Sequence, residues 1–121
     1  MDSKGADVPL SLEILRRLIA FPTVSRDSNL DLIEFARAQL AESGARTRLT
    51  YDDDRRKANL FATLGPEGDG GIVLSGHTDV VPVDGQNWRS DPFELSERDG
   101  RYYGRGSADM KSFVAIVLAL A

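Results

Sequence analysis

The sequence predicts a layered α/β domain. Three observations lead there: two amphipathic helical stripes at the front, a switch to short alternating strands separated by Gly, Pro and Asp turns, and a closing apolar helix. At 121 residues with 41% apolar and 28% charged side chains, one small core can form and general disorder is excluded.

The elements follow in order. Residues 1–8 read as a loose tail. From Pro9 to Ala20, Leu10, Ile14, Leu15 and Leu18 recur at helical spacing, and Phe21-Pro22 ends the helix, because proline disfavours helix in the residue before it. Ser28 or Asn29 caps a second helix, with Asp31 in its first turn; its buried stripe is Leu32, Ile33, Ala36 and Leu40, Phe35 lies on the edge, and Ser43-Gly44 stops it. Ala45 to Tyr51 and Asn59 to Leu64 read as strands joined by the charged link Asp52 to Lys57. A Gly-rich turn from Gly65 to Gly71 precedes Ile72-Val73-Leu74, a short apolar run that suits a central strand buried on both faces. Phe93 to Glu97 and Arg101 to Tyr103 form a hairpin around Asp99-Gly100, and a helix starts near Ser107 or Ala108. From Phe113 onward that helix is apolar on nearly all sides and needs protein all around it.

Composition removes several function classes. A net charge of -4 and a pI near 4.9 speak against nucleic acid or an anionic membrane as partner. With no cysteine there is no disulfide scaffold, thiolate zinc site or thiol nucleophile, so any metal must be held by His and carboxylates. The first seven residues carry no basic and apolar leader pattern, and the Phe113–Ala121 run is about half the length of a membrane span. The expected setting is cytoplasmic.

Two segments can carry chemistry. His77 and Asp79 lie just past the apolar run at 72–74, at the carboxyl end of the expected strand, where open α/β sheets collect ligands. His77 can give one imidazole nitrogen to a metal while Asp79 holds the other N–H, and Gly76 permits close backbone approach. A polar turn with His77 bonded to the backbone accounts for the same residues. In Tyr103-Gly104-Arg105-Gly106-Ser107-Ala108-Asp109-Met110-Lys111, Asp109 sits near a helix N-terminus, as an ordinary cap or as a carboxylate bridging two ions. The Gly-rich stretches lack the dinucleotide and Walker spacings, no Gly-x-Ser-x-Gly elbow exists, and Trp88 with Pro92 and Phe93 suits local packing.

Ser75-Gly76-His77-Thr78-Asp79-Val80-Val81-Pro82, then Trp88 and Asp91-Pro92-Phe93, then Gly104 to Lys111, together resemble the metal-site blocks of the M20 family of zinc-dependent aminoacylases and carboxypeptidases, in order and in spacing. The resemblance implies the N-terminal part of a zinc-aminopeptidase-like layered catalytic domain with a mixed central sheet. It implies that His77 binds one metal, that Asp79 steers His77 and counts as catalytic, that Asp109 bridges two zinc ions (cobalt being an alternative), and that a cis peptide follows Asp109. Within the family, Leu18 to Arg26 and Val83 to Trp88 are most similar to members that hydrolyse N2-acetyl-L-ornithine to ornithine and acetate in arginine biosynthesis. A small N-acyl amino acid is the implied substrate and a homodimer the implied assembly. Desuccinylation of succinyl-diaminopimelate and dipeptide hydrolysis are alternatives within the family; a non-catalytic module that buries its last helix against a partner is the alternative outside it.

The chain departs from the family pattern in two ways. Ser112 stands where glycine is usual. The Glu-Glu pair that supplies the general base and a further ligand is absent, as are a later acidic ligand, a second His and the lid-like dimerisation domain. The 121 residues alone are therefore expected to be catalytically silent and poorly folded, with two protein ligands where a tight zinc site takes three or four.

Overall fold

The computed structural model describes residues 8–121; the expected tail falls almost wholly outside them. The order is α1 (Leu10–Ala20), α2 (Leu30–Glu42), β1 (Arg46–Tyr51), β2 (Ala58–Thr63), β3 (Ser96–Arg98), β4 (Arg101–Tyr103) and α3 (Lys111–Leu120).

Pro9 opens α1 by accepting the N–H groups of Leu12 and Glu13 on its carbonyl. Ile14, Leu15, Leu18 and Ile19 form the buried face, which packs mainly against α3. Leu10, expected in this stripe, lies at the open end of the helix and is 54% exposed. The helix gives way at Phe21, whose extended backbone meets the restriction imposed by Pro22.

α2 buries the expected Leu32, Ile33, Ala36 and Leu40. Phe35 is half-buried, its ring 5.8 Å from Phe21 and 4.5 Å from the Arg17 guanidinium. Asn29 occupies the N-cap position without capping. Its side-chain carbonyl accepts the Ala58 N–H at 2.9 Å and its amide donates to the Ala58 carbonyl at 3.0 Å, which fastens the start of α2 to the start of β2. Gly44 takes the left-handed backbone (φ 87°) that ends the helix.

β1 and β2 pair antiparallel from Arg46↔Thr63 to Tyr51↔Ala58. The Asp52 carboxylate closes their connection by accepting the N–H groups of Arg56 (2.9 Å) and Lys57 (3.0 Å). β3 and β4 pair around Asp99 and Gly100, both at positive φ, as a tight two-residue hairpin requires. β3 starts at Ser96 rather than Phe93, because Asp91 draws residues 91–94 into a turn through its side chain (Phe93 N–H, 2.9 Å) and carbonyl (Glu94 N–H, 3.2 Å).

The mixed α/β class stands, but the expected central strand does not form. Ile72, Val73 and Leu74 are 88%, 80% and 56% exposed and join no ladder. A strand exists only with a neighbour to take its backbone hydrogen bonds, and among the described residues none lies beside 72–74. Among the described residues the sheet content is two separate antiparallel pairs and a single parallel bridge, Val24↔Val80.

Residues 104–110 run as turns and α3 begins only at Lys111, later than the expected Ser107 or Ala108. Lys111, Ala115 and Leu118 face the core, while Ile116 and Leu120 on other sides are 51% and 79% exposed. Among the described residues no helix is long and apolar enough to cross a membrane.

Candidate metal centre

The extended stretch ending in Val80 and the turn before α3 meet at His77, the chain's one histidine. Gly76 permits the approach: a Cβ there would stand 3.1 Å from Met110 Cε and 3.2 Å from Phe113 Cδ2. The His77 backbone N–H donates to Met110 Sδ at 3.3 Å. On the other side Gly106, at φ 95°, lets the turn press against Val80 and Lys111 where any Cβ would clash.

All three sequence-predicted residues come together. His77 Nδ1 lies 3.0 Å from the Asp79 backbone carbonyl and 3.2 Å from Asp79 Oδ1, and Nε2 lies 3.0 Å from Asp109 Oδ1. Both ring nitrogens thus face oxygens that can only accept. A neutral imidazole has a single N–H, so one of the two contacts needs a proton or a cation between its atoms. Protonation is accordingly favoured: burial works to lower the His77 pKa, but the Asp79 carbonyl and the Asp109 and Asp79 carboxylates outweigh it and the net shift is upward. The Asp79 carboxyl is held below its ordinary range, chiefly by a hydrogen bond from Ser25 against an opposing effect of burial, with His77 adding attraction.

A metal ion is the other way to fill the gap. Zinc bonds imidazole nitrogen and carboxylate oxygen at about 2.0–2.2 Å, which at a tetrahedral angle puts the two donors about 3.3 Å apart. The observed 3.0 Å between Nε2 and Oδ1 is close to that separation, and zinc is among the ions that accept an imidazole nitrogen and a carboxylate oxygen together. The residues therefore fit as part of a site. Among the described residues no group of three or more His, Cys, Asp or Glu is arranged to hold an ion, so His77 and Asp109 offer at most two candidate donors and no full shell. The side chains of His77 and Asp109 are 47% and 79% exposed, leaving the far side of the pair open. The peptide between Asp109 and Met110 is cis, as the resemblance implied.

Lys111 received no role from sequence reasoning, yet it is wholly buried. Its ammonium donates at 2.8 Å to the carbonyls of Leu18 and Phe21, at the end of α1, which anchors the Asp109 turn to that helix. Its helical register with the apolar Ala115 and Leu118 was the available signal. Thr23 and Ser25 also bear on the site: Thr23 Oγ1 donates to the Thr78 carbonyl at 2.6 Å and Ser25 Oγ to Asp79 Oδ2 at 2.5 Å. No spacing rule links residues more than fifty positions apart in sequence, so these contacts had no signal. Ser112, at the usual glycine position, donates its hydroxyl to the Ser107 carbonyl and so fits inside the turn.

Residues 73–121 match the family model described as Peptidase family M20/M25/M40. The chain is 46% identical over 118 residues to an acetylornithine deacetylase of Pasteurella multocida (strain Pm70), an alignment covering 92% of this chain and 31% of that protein. To an acetylornithine deacetylase of Yersinia pestis it is 43% identical over 122 residues, with the same two coverages. Among solved structures it resembles human carnosine dipeptidase 1, with a TM-score of 0.76 and 26% identity, over 89% of this chain and 26% of that one. The chain thus spans about a third (31%) of the length of these curated relatives.

Proposed function

We propose that the chain belongs to peptidase family M20/M25/M40, which the match over residues 73–121 and the 46% identity to the Pasteurella multocida protein support, and that it is the N-terminal portion of the catalytic domain of a metal-dependent amidohydrolase cleaving N2-acetyl-L-ornithine to L-ornithine and acetate. The observation that carries the chemistry is the imidazole of His77 held between two oxygen acceptors, with only one N–H to satisfy them. In this reading Nδ1 keeps its proton and donates to Asp79, while Nε2 and the Asp109 carboxylate are the metal donors. Asp79 fixes the tautomer and the ring orientation. A zinc ion held by these two residues would supply Lewis-acid chemistry, polarising an acyl carbonyl and lowering the pKa of water towards about 7. The sequence holds no adjacent Glu pair, so the general base, the remaining ligands, the second ion's shell and the lid-like dimerisation domain are assigned to residues outside these 121. Two zinc ions, a homodimer, a cytoplasmic setting and a place in arginine biosynthesis belong to the same proposal. The acetylornithine substrate is supported by the relatives of Pasteurella and Yersinia.

Dipeptide hydrolysis is the second reading, favoured by the likeness to carnosine dipeptidase 1. A chimera separates the two, with this chain replacing the matching segment of the Pasteurella multocida enzyme and assayed with zinc. Turnover of N2-acetyl-L-ornithine well above that of dipeptides and of succinyl-diaminopimelate is expected. A chimera that folds, binds zinc and prefers dipeptides would overturn the first reading.

A further inference from the structure

We propose that Ser25 is a positioning residue of the metal centre, acting on His77 through the carboxylate of Asp79. This deepens the reading of His77 and Asp109 as metal donors and rests on it.

A carboxylate's last torsion is broad and roughly two-fold, and half the Asp79 side chain is exposed. On its own it would turn, and Oδ1 would leave His77 Nδ1 to the Asp79 backbone carbonyl alone, 3.0 Å away. The Ser25 hydroxyl donates to Oδ2 at 2.5 Å, while Oδ1 stays 3.2 Å from Nδ1. Such charge-assisted O–H to carboxylate bonds are short and about twice as strong as neutral ones.

The donor is itself held on several sides. Its backbone N–H donates to the Val80 carbonyl at 3.1 Å, and the Val80 N–H donates to the Thr23 carbonyl at 2.9 Å. Buried Thr23 adds its hydroxyl bond to the Thr78 carbonyl. The Lys57 ammonium donates to the Ser25 carbonyl. Residues 23–25 thus form a strap across Thr78, Asp79 and Val80. Two residues before it, the Phe21 carbonyl receives Lys111, itself two residues past Asp109. A single segment after α1 therefore braces both halves of the donor pair, and Ser25 is the only strap residue whose side chain reaches the carboxylate facing His77.

The test is made on the full-length protein with zinc, comparing Ser25→Ala, Ser25→Thr and His77→Ala. Zinc affinity is read by chelator competition, with kcat, KM and the metal-free melting temperature alongside. Expected for Ser25→Ala is zinc binding weakened by about tenfold to a hundredfold, kcat lowered to match, KM near wild type, and metal-free melting lowered by only the few degrees that one lost hydrogen bond accounts for. Ser25→Thr keeps the hydroxyl and should restore affinity and kcat. Ser25→Ala with wild-type affinity and kcat, while His77→Ala loses both, would overturn the role of Ser25 alone. Ser25→Thr as impaired as Ser25→Ala, or a fall in metal-free melting beyond those few degrees, would make the effect one of packing and overturn it too. Wild-type zinc affinity in His77→Ala would instead remove the metal-donor reading, and this inference with it.

Discussion

Replacing Lys111 by methionine is the sharpest perturbation of the fold's support for the site. The side chain is fully buried, and its ammonium holds the Leu18 and Phe21 carbonyls at 2.8 Å. Burial pushes its pKa down to about 8 from 10.5. Methionine keeps the apolar stem but deletes both bonds. Hydrogen bonds to a charged group contribute about 1.5–3 kcal/mol each, while removing a buried ammonium recovers at most about 3 kcal/mol for a shift of this size. With that full amount recovered, the net loss for Lys111→Met at pH 7 is about 0–3 kcal/mol. Lys111→Ala also empties the space of the stem and should lose about 3–5 kcal/mol. The pH dependence gives the signature. Between about pH 8 and 10.5 the folded Lys111 binds fewer protons than the unfolded one, so unfolding free energy rises with pH in that window, by up to about 3 kcal/mol. Urea unfolding of the metal-free protein from pH 7 to 10.5 measures this, and subtracting the Lys111→Met curve removes other titrating groups. A difference that stays flat or falls across that window would refute the buried-ammonium account.

Other substitutions probe the supports. Gly106→Ala should cost about 3 kcal/mol, since a Cβ would stand 2.9 Å from Val80 Cγ1 at a left-handed φ of 95°; a melting shift under two degrees would contradict this. Asn29→Ala leaves the buried N–H and carbonyl of Ala58 without their side-chain partners, and urea unfolding should show a loss of about 2 kcal/mol.

The helices were legible because each carries its own periodic stripe. Leu32, Ile33, Ala36 and Leu40 were buried as expected, and Phe21-Pro22 and Gly44 ended their helices where local chemistry demands. The β3–β4 turn was legible for the same local reason. The run Ile72–Leu74 misled, because apolar content predicts burial only where a neighbouring strand exists, and among the described residues none pairs with it. The start of α3 was placed too early, since the turns at 104–110 follow from packing of Gly106 against Val80 and Lys111. His77, Asp79 and Asp109 stood out in the sequence by residue type and spacing, and the structure brings them into contacts of 3.2 Å or less. The Ser25 strap and the Lys111 anchor are set by tertiary contacts across 54 and 90 or more positions, which no local pattern encodes.

The central claim is that His77 and Asp109 are metal donors of an amide hydrolase. The most direct test measures bound zinc and turnover of N2-acetyl-L-ornithine in the full-length protein, wild type against His77→Ala and Asp109→Ala. The account predicts that each variant folds, loses bound zinc and falls by at least about a thousandfold in kcat, as loss of an essential catalytic group does. Folded variants with wild-type zinc content and turnover would contradict it.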